Sequence, residues 1–157
     1  MNAPLLRIRT ATIADADELL ALQKAAFLSE AMLYGMDAVP AMLESLEQMR
    51  EALRGHLFLK AVDAGRIAGS VRANLDKGTC HIGRLVVSPE RQRQGIGSRL
   101  MAAMEARFPD AEHYEIFTGH KSEGNLRLYR RLGYVEYLTH QVRPELTLVF
   151  MRKDRQG

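Results

Sequence analysis

The stretch Leu85-Val86-Val87-Ser88-Pro89-Glu90-Arg91-Gln92-Arg93-Gln94-Gly95-Ile96-Gly97-Ser98 constrains the fold more than any other part of this chain. It reads as a strand stopped by a proline, a basic loop closed by two glycines, and a helix. Ile96, Leu100, Met101, Met104 and Phe108 recur at helical spacing and mark that helix. A glycine-closed loop feeding a helix start leaves several backbone N–H groups without intrahelical partners. The aligned peptide dipoles add partial positive charge there, which suits a phosphate or pyrophosphate. Arg91, Arg93 and Arg99 reinforce the sign. A plain strand–turn–helix connection with solvated arginines accounts for the same letters, and short glycine motifs recur by chance. Local physics alone leaves both readings open.

At 157 residues the chain is long enough to bury one sizeable core, and residues 1–157 are assigned to a single domain. A hydrophobic fraction of 46% with 26% charged residues is ordinary for a soluble globular protein. No apolar run approaches the roughly 20 residues that a bilayer demands, so no membrane partner is expected. Met1-Asn2-Ala3-Pro4-Leu5-Leu6-Arg7 lacks the basic-then-apolar layout of a secretory signal, which makes the cytoplasm the expected location. Cys80, the single cysteine, has no intramolecular disulfide partner. Its neighbour His81 would point to the opposite face of a strand, so a catalytic thiol pair is not expected and Cys80 reads as a plain strand residue. One cysteine and five scattered histidines give no zinc spacing, and no metal is expected. The net charge of +3 comes without a lysine-rich run or an aromatic-studded basic stripe, so no nucleic-acid partner is expected.

Residues 6–10 read as a first strand, and Thr12-Ile13-Ala14-Asp15 offers helix-start chemistry. Leu19, Leu22, Ala26 and Phe27 mark an amphipathic helix. Ser29 to Val39 reads as a loop, and a second helix is expected from Ala41 to Arg54 with Pro40 at its start. Leu57 to Val62, Ile67 to Leu75 and Cys80 to Val87 form a meander joined by Asp63-Ala64-Gly65-Arg66 and Asp76-Lys77-Gly78. After the glycine-loop helix come a strand at His113 to Thr118 and a short helix from about Gly124 to Leu132, closed by Gly133. Tyr134 to Thr139 and Leu146 to Met151 complete the strands. The order β-α-α-β-β-β-α-β-α-β-β predicts an α/β (α+β) fold, a mixed sheet flanked by helices.

This order, with the glycine loop after the fourth strand, resembles the GNAT superfamily of N-acetyltransferases. The family signature Arg/Gln-x-x-Gly-x-Gly/Ala stands here as Gln92-Arg93-Gln94-Gly95-Ile96-Gly97. A second block, Asn125-Leu126-Arg127-Leu128-Tyr129-Arg130-Arg131-Leu132-Gly133-Tyr134, is similar to the family's asparagine-x-x-x-tyrosine helix and the leucine-glycine-aromatic segment after it. The resemblance is thinnest from Phe27 to Arg54. It implies a mostly antiparallel sheet and an acetyl-CoA (or other acyl-CoA) cosubstrate, with the pyrophosphate on the N–H groups of Gln92, Arg93, Gln94, Gly95, Ile96, Gly97 and Ser98. The backbone of Leu85, Val86 and Val87 would pair with the pantetheine arm, where the family's fourth and fifth strands splay. Gly83 reads either as a residue that relaxes the fourth strand or as a packing glycine.

By the same resemblance, a main-chain N–H near Val87 would polarise the thioester carbonyl. Tyr129 would act as general acid toward the departing thiolate, a phenol being protonated at neutral pH; from the residues alone it also reads as a tyrosine packed beside Leu128 and Leu132. Asn125 and Tyr129, four apart, share a helix face; Asn125 would bind pantetheine or cap its helix. The general base is left among Glu30, Glu115, His120, Glu123 and ordered water. The implied reaction is direct acetyl transfer to a primary amine, small-molecule or peptide. The alternative is a non-catalytic acyl-CoA-binding sensor or structural module, and a homodimer is compatible with the resemblance. Ser29 to Val39, mixing Glu30 with Met32, Leu33, Tyr34 and Met36, reads either as a partly apolar acceptor pocket or as a loop packed on the core. A P-loop is excluded because no lysine follows the glycines. A dinucleotide fingerprint is excluded by Leu100 at the third glycine position and by the meander.

Overall fold

A computed structural model describes residues 6–155, so the reading of Met1–Leu5 and the last two residues of the assigned domain lie outside the described residues. Seven strands form one sheet in the order β1-β2-β3-β4-β5-β7-β6. They are β1 (Arg7–Thr10), β2 (Leu57–Asp63), β3 (Arg66–Asp76), β4 (Thr79–Val87), β5 (His113–Gly119), β6 (Val135–Arg143) and β7 (Leu146–Asp154). Every neighbouring pair is antiparallel except β4 and β5. Two-residue turns at Ala64-Gly65 and Lys77-Gly78 join β2, β3 and β4. All four turn residues have positive φ, the hairpin geometry that matches strand twist.

The helices are α1 (Ala16–Tyr34), α2 (Pro40–Leu43), α3 (Leu46–Gly55), α4 (Ile96–Arg107) and α5 (Glu123–Arg131). On one side of the sheet, Ile96, Leu100, Met101 and Met104 of α4 pack with Val71, Ala73, Cys80 and Ile82. A second cluster joins Leu19 and Leu22 of α1 and Met49 of α3 to Phe58, Ile67 and Val86. Among the described residues no helix is long and apolar enough to cross a membrane. Cys80 is fully buried in strand β4, and burial, with the Glu105 charge adding to it, pushes its thiol up to about 12. It is a core residue, as its position in the strand predicted.

The expected loop at Ser29–Val39 is a correction. Helix α1 runs through to Tyr34 because Phe27, Ala31 and Tyr34 continue its buried stripe at helical spacing. Gly35, at φ 98°, is the residue that ends it, and Met36–Ala38 make one 3-10 turn. The single helix expected over Ala41–Arg54 is two. Pro40 opens α2, but Glu44 is extended and Ser45 caps α3 through a reciprocal box with Gln48 (Gln48 N–H to Ser45 Oγ 3.1 Å; Ser45 N–H to Gln48 Oε1 2.9 Å). Glu44 leaves the helical path to meet two arginines of the sheet, Arg72 and Arg84.

Strand β4 bends where the site begins. Ser70 pairs with Val86 and Arg72 with Gly83, so Arg84 and Leu85 together oppose Val71. That extra residue is a β-bulge. The backbone takes it up at Arg84, with φ 51°, and not at Gly83, which keeps its place in the ladder.

Candidate active site

Strands β4 and β5 part company early. Their ladder covers only Thr79–His81 against His113–Glu115, while β4 continues to Val87 and β5 to Gly119. Among the described residues the β5-facing edge of β4 beyond His81 has no strand partner. Into this opening runs a cleft of about 530 Å³, walled by the end of β4, the loop into α4, the start of α5 and one face of α1. Ser88 donates its N–H to Ala68 of β3 at 2.8 Å. Strand alternation therefore turns the preceding N–H, that of Val87, toward the open edge.

The loop follows β4 through a 3-10 turn at Pro89–Arg91, then left-handed residues at Arg93 (φ 65°) and Gly95 (φ 80°), into α4 at Ile96. Arg91 is anchored by Asp63 at 2.9 Å and donates through Nε to Gln94 Oε1 at 2.9 Å. The first N–H groups of α4, at Ile96, Gly97 and Ser98, precede its hydrogen-bonded turns, so they present the donors and positive dipole end that an anion requires. Gly97 faces Leu85, Val87 and Leu128 across the cleft floor; a Cβ there would meet Leu128 Cδ2 at 3.4 Å and narrow the floor. Ile96 buries its side chain and borders the cleft.

Of the predicted cosubstrate residues, Leu85, Val86, Val87, Gln92, Arg93, Gly95, Ile96, Gly97, Ser98 and Asn125 border the cleft. Gln94 is turned to Arg91 instead. Arg99, counted as a source of charge, reaches back to the Leu6 carbonyl at 3.2 Å. Positive charge comes also from residues that the motifs did not single out: Lys121 before α5, and Arg127 and Arg131 one turn apart on it. Their spacing with Gly124 and Leu128 was the available signal, since 124, 127, 128 and 131 share one helical face.

Tyr129 lies beneath this wall. It is 3% exposed, its ring meets Tyr134 edge-on at 6.2 Å between centroids, and it is not part of the open lining. Burial pushes its phenol far up, and the charge of Glu30 adds to the effect. The phenol therefore stays protonated throughout the range in which a protein is assayed. Asn125 corrects one expectation: helix α5 starts at Glu123, so Asn125 is its third residue and no cap. Its Nδ2 donates instead to Thr118 Oγ1 (3.1 Å) and Glu30 Oε1 (3.3 Å).

The carboxylate and imidazole candidates separate cleanly. Glu30 borders the cleft, on the α1 face that also presents Ala26, Phe27 and Leu33. Its Oε2 accepts from Ser122 Oγ. Glu123 borders the cleft at its exposed rim, near Arg127. Glu115 lies within the paired part of β5 and is held by Arg152 at 3.1 Å. His120 Nδ1 accepts from Thr147 N–H at 3.0 Å, on the β7 side. Of the segment expected to be a loop, Ser29, Glu30 and Leu33 line the cleft, Tyr34 is buried, and Met32 and Met36 are exposed.

Comparison with known proteins bears on this geometry. A family profile described as "Acetyltransferase (GNAT) domain" matches residues 28–155. UPF0157 protein YqkA of Bacillus subtilis is 30% identical over 129 residues, covering 82% of this chain; the chain spans 36% of that protein's length. The PaiA N-acetyltransferase of Thermoplasma acidophilum, solved in complex with coenzyme A, superposes with a TM-score of 0.82 at 16% identity (96% of this chain, 99% of that one). The ribosomal-protein-S18-alanine N-acetyltransferase of Escherichia coli superposes with a TM-score of 0.80 at 14% identity (98% and 96%). At such identities these structures speak for the fold alone. The profile match covers most of the length, and it agrees with the sheet order, the splayed β4/β5 edge and the glycine loop at its mouth. The chain belongs to the GNAT acetyltransferase family.

Proposed function

We propose that this protein transfers an acetyl group from acetyl-CoA directly to a primary amine, in the cytoplasm and without a covalent enzyme intermediate. The observation that carries the reading is the β4/β5 divergence, which brings both sequence motifs to one cleft beside an unpaired strand edge. The residues present fit the cosubstrate. The N–H groups of Ile96, Gly97 and Ser98 suit its pyrophosphate, and the cations Arg93, Arg127 and Arg131 border the same cleft. The free edge at Leu85–Val87 suits a pantetheine arm laid alongside as an added strand. The Val87 N–H would donate to the thioester oxygen as negative charge builds on it. By its resemblance to the family's helix motif, Tyr129 would pass its proton to the departing sulfur; in this fold it lies just beneath the cleft wall, where burial keeps that proton in place beforehand.

The test is calorimetric titration with acetyl-CoA, followed by thiol release across a panel of amines. Tyr129→Phe should lower kcat by about 100-fold or more, within the range for loss of one general acid, while leaving the acetyl-CoA Kd within about twofold. Full turnover by Tyr129→Phe would remove the acid assignment. Absence of acetyl-CoA binding would remove the whole reading, and binding without turnover on any amine would leave an acyl-CoA-binding module in its place.

A further inference from the structure

Glu30 sits at the centre of a hydrogen-bonded chain whose direction can be assigned. The Lys121 N–H donates to Tyr34 Oη at 2.9 Å, and Ser122 Oγ donates to Glu30 Oε2. Ser122 has one proton and spends it on Glu30, so at the 2.8 Å Tyr34–Ser122 contact the phenol is the donor. Asn125 supplies a second donor to the same carboxylate. Tyr34 and Ser122 are both buried, and Gly119 leaves the room for this arrangement: a Cβ at Gly119 would fall 2.3 Å from Tyr34 Oη. The charges around Glu30 are unequal. Among the described residues, the remaining charged side chains of the cleft are the cations Arg91, Arg93, Lys121, Arg127 and Arg131 and the rim carboxylate Glu123, which is 81% exposed. The α4 end of the cleft, with Arg93 and the free N–H groups of Ile96, Gly97 and Ser98, favours anions. At the other, a single oriented carboxylate is set into the apolar stripe Ala26, Phe27 and Leu33.

We propose that Glu30 receives the acceptor's ammonium group and takes its proton, that Ser122 and Tyr34 are positioning residues for it, and that the acceptor class is a primary amine carried on an apolar body. The assignment rests on the acetyl-transfer reading above and supplies its missing base. Glu30 removes one ammonium proton. The freed nitrogen lone pair forms the C–N bond to the acetyl carbon as the C–S bond breaks. Tyr129 gives its proton to the sulfur and regains one from the new amide nitrogen, and the proton on Glu30 passes to water. Atoms and charge balance: ammonium plus thioester gives amide, thiol and one released proton.

Two probes of the same shape separate proton removal from mere packing. At pH 7, 2-phenylethylamine is an ammonium ion, whereas O-benzylhydroxylamine is already a neutral amine and needs no base. With saturating acetyl-CoA, wild type should acetylate both. Glu30→Gln should lower kcat on 2-phenylethylamine by about 100-fold or more, the scale of one general base, and on O-benzylhydroxylamine by less than about threefold. Ser122→Ala and Tyr34→Phe should repeat the same selective pattern at about three- to tenfold, with the acetyl-CoA KM unchanged, and keep the question answerable if Glu30→Gln does not fold. Equal losses on the two probes would reduce Glu30 to a packing role, and unchanged rates would overturn the assignment. Wild type that binds acetyl-CoA by calorimetry yet acetylates neither probe would overturn the acceptor class. Failure to bind acetyl-CoA at all would instead defeat the transfer reading on which it rests.

Discussion

Replacing Glu44 by glutamine should flatten the acid side of the stability curve, and the size of the change follows from its surroundings. The carboxylate is about 10% exposed and takes hydrogen bonds from Arg72 Nη2 (2.8 Å) and Nη1 (3.2 Å), Arg84 Nη1 (2.9 Å) and Gln23 Nε2 (2.8 Å). Burial alone would raise its pKa. The donors from Arg72 and Gln23 and the charges of both arginines outweigh that, and bring it down from the usual 4.5 to about 2. A group depressed on folding contributes stability that is present in full above 4.5 and disappears as pH falls through about 2. That gap is worth about 3 kcal/mol at pH 7, of which about 2 kcal/mol is gone by pH 3. Glu44→Gln leaves two arginines facing one another without a counter-charge. Arg84 is already pushed down, first by burial and then by the charge of Arg72. We therefore expect a loss of about 3–4 kcal/mol at pH 7, at the lower side of the roughly 3–5 kcal/mol for removing one partner of a buried pair. The decisive quantity is the slope. In urea melts at pH 7 and pH 3, the variant's decline between the two should be smaller than wild type's by about 2 kcal/mol. Parallel declines would show that Glu44 does not titrate with folding and would refute the argument.

The two loop glycines should fail for different reasons. Gly95→Ala must hold a left-handed φ of 80°, so it should cost about 1 kcal/mol in thermal or urea melts and weaken acetyl-CoA modestly. Gly97→Val places its side chain over the cleft floor near Leu85, Val87 and Leu128, so calorimetry should show the acetyl-CoA Kd rising at least tenfold with little loss of stability; an unchanged Kd would count against the phosphate loop. Cys80→Ala should keep its turnover, since the thiol is buried and held protonated, and the native thiol should react with an aromatic disulfide reagent only after unfolding. Abolished turnover in a folded Cys80→Ala protein would contradict direct transfer.

Where a structural fact was local in the chain, the letters declared it. The meander was legible because Ala64-Gly65 and Lys77-Gly78 are two-residue turns between apolar runs, and α4 because its buried residues repeat at helical spacing. The segment from Ser29 to Arg54 was misread because its structure is decided at a distance. Tyr34 continues α1 to reach Ser122, 88 residues away, and Glu44 breaks a helix to reach Arg72 and Arg84, 28 and 40 residues away. No window of periodicity contains both partners of such contacts. The bulge was misplaced for the same reason. Gly83 is the residue that local propensity favours, yet the positive φ belongs to Arg84, whose guanidinium is held by Glu44 from the helix side.

Those distant contacts divide the work within the cleft. The backbone donors of the proposed anion end come from contiguous sequence, Gln92 to Ser98, which a motif can mark, while Arg127 and Arg131 join them from α5. The proposed acceptor end is assembled from three separate places: Glu30 and its apolar neighbours on α1, Ser122 and Asn125 at the start of α5, and Gly119 at the end of β5. Each of these residue types is unremarkable alone, and only the fold makes them one site. The consequence is asymmetric freedom to change. The loop cannot vary far without losing its free N–H groups, whereas Ala26, Phe27 and Leu33 stand on a separate element, α1, and can be exchanged for apolar residues of other shape without disturbing the loop. Substitution at those three positions should therefore alter which amine is accepted while leaving the acetyl-CoA Kd intact, and that separation is what a cleft with one end for the cosubstrate and one for the acceptor requires.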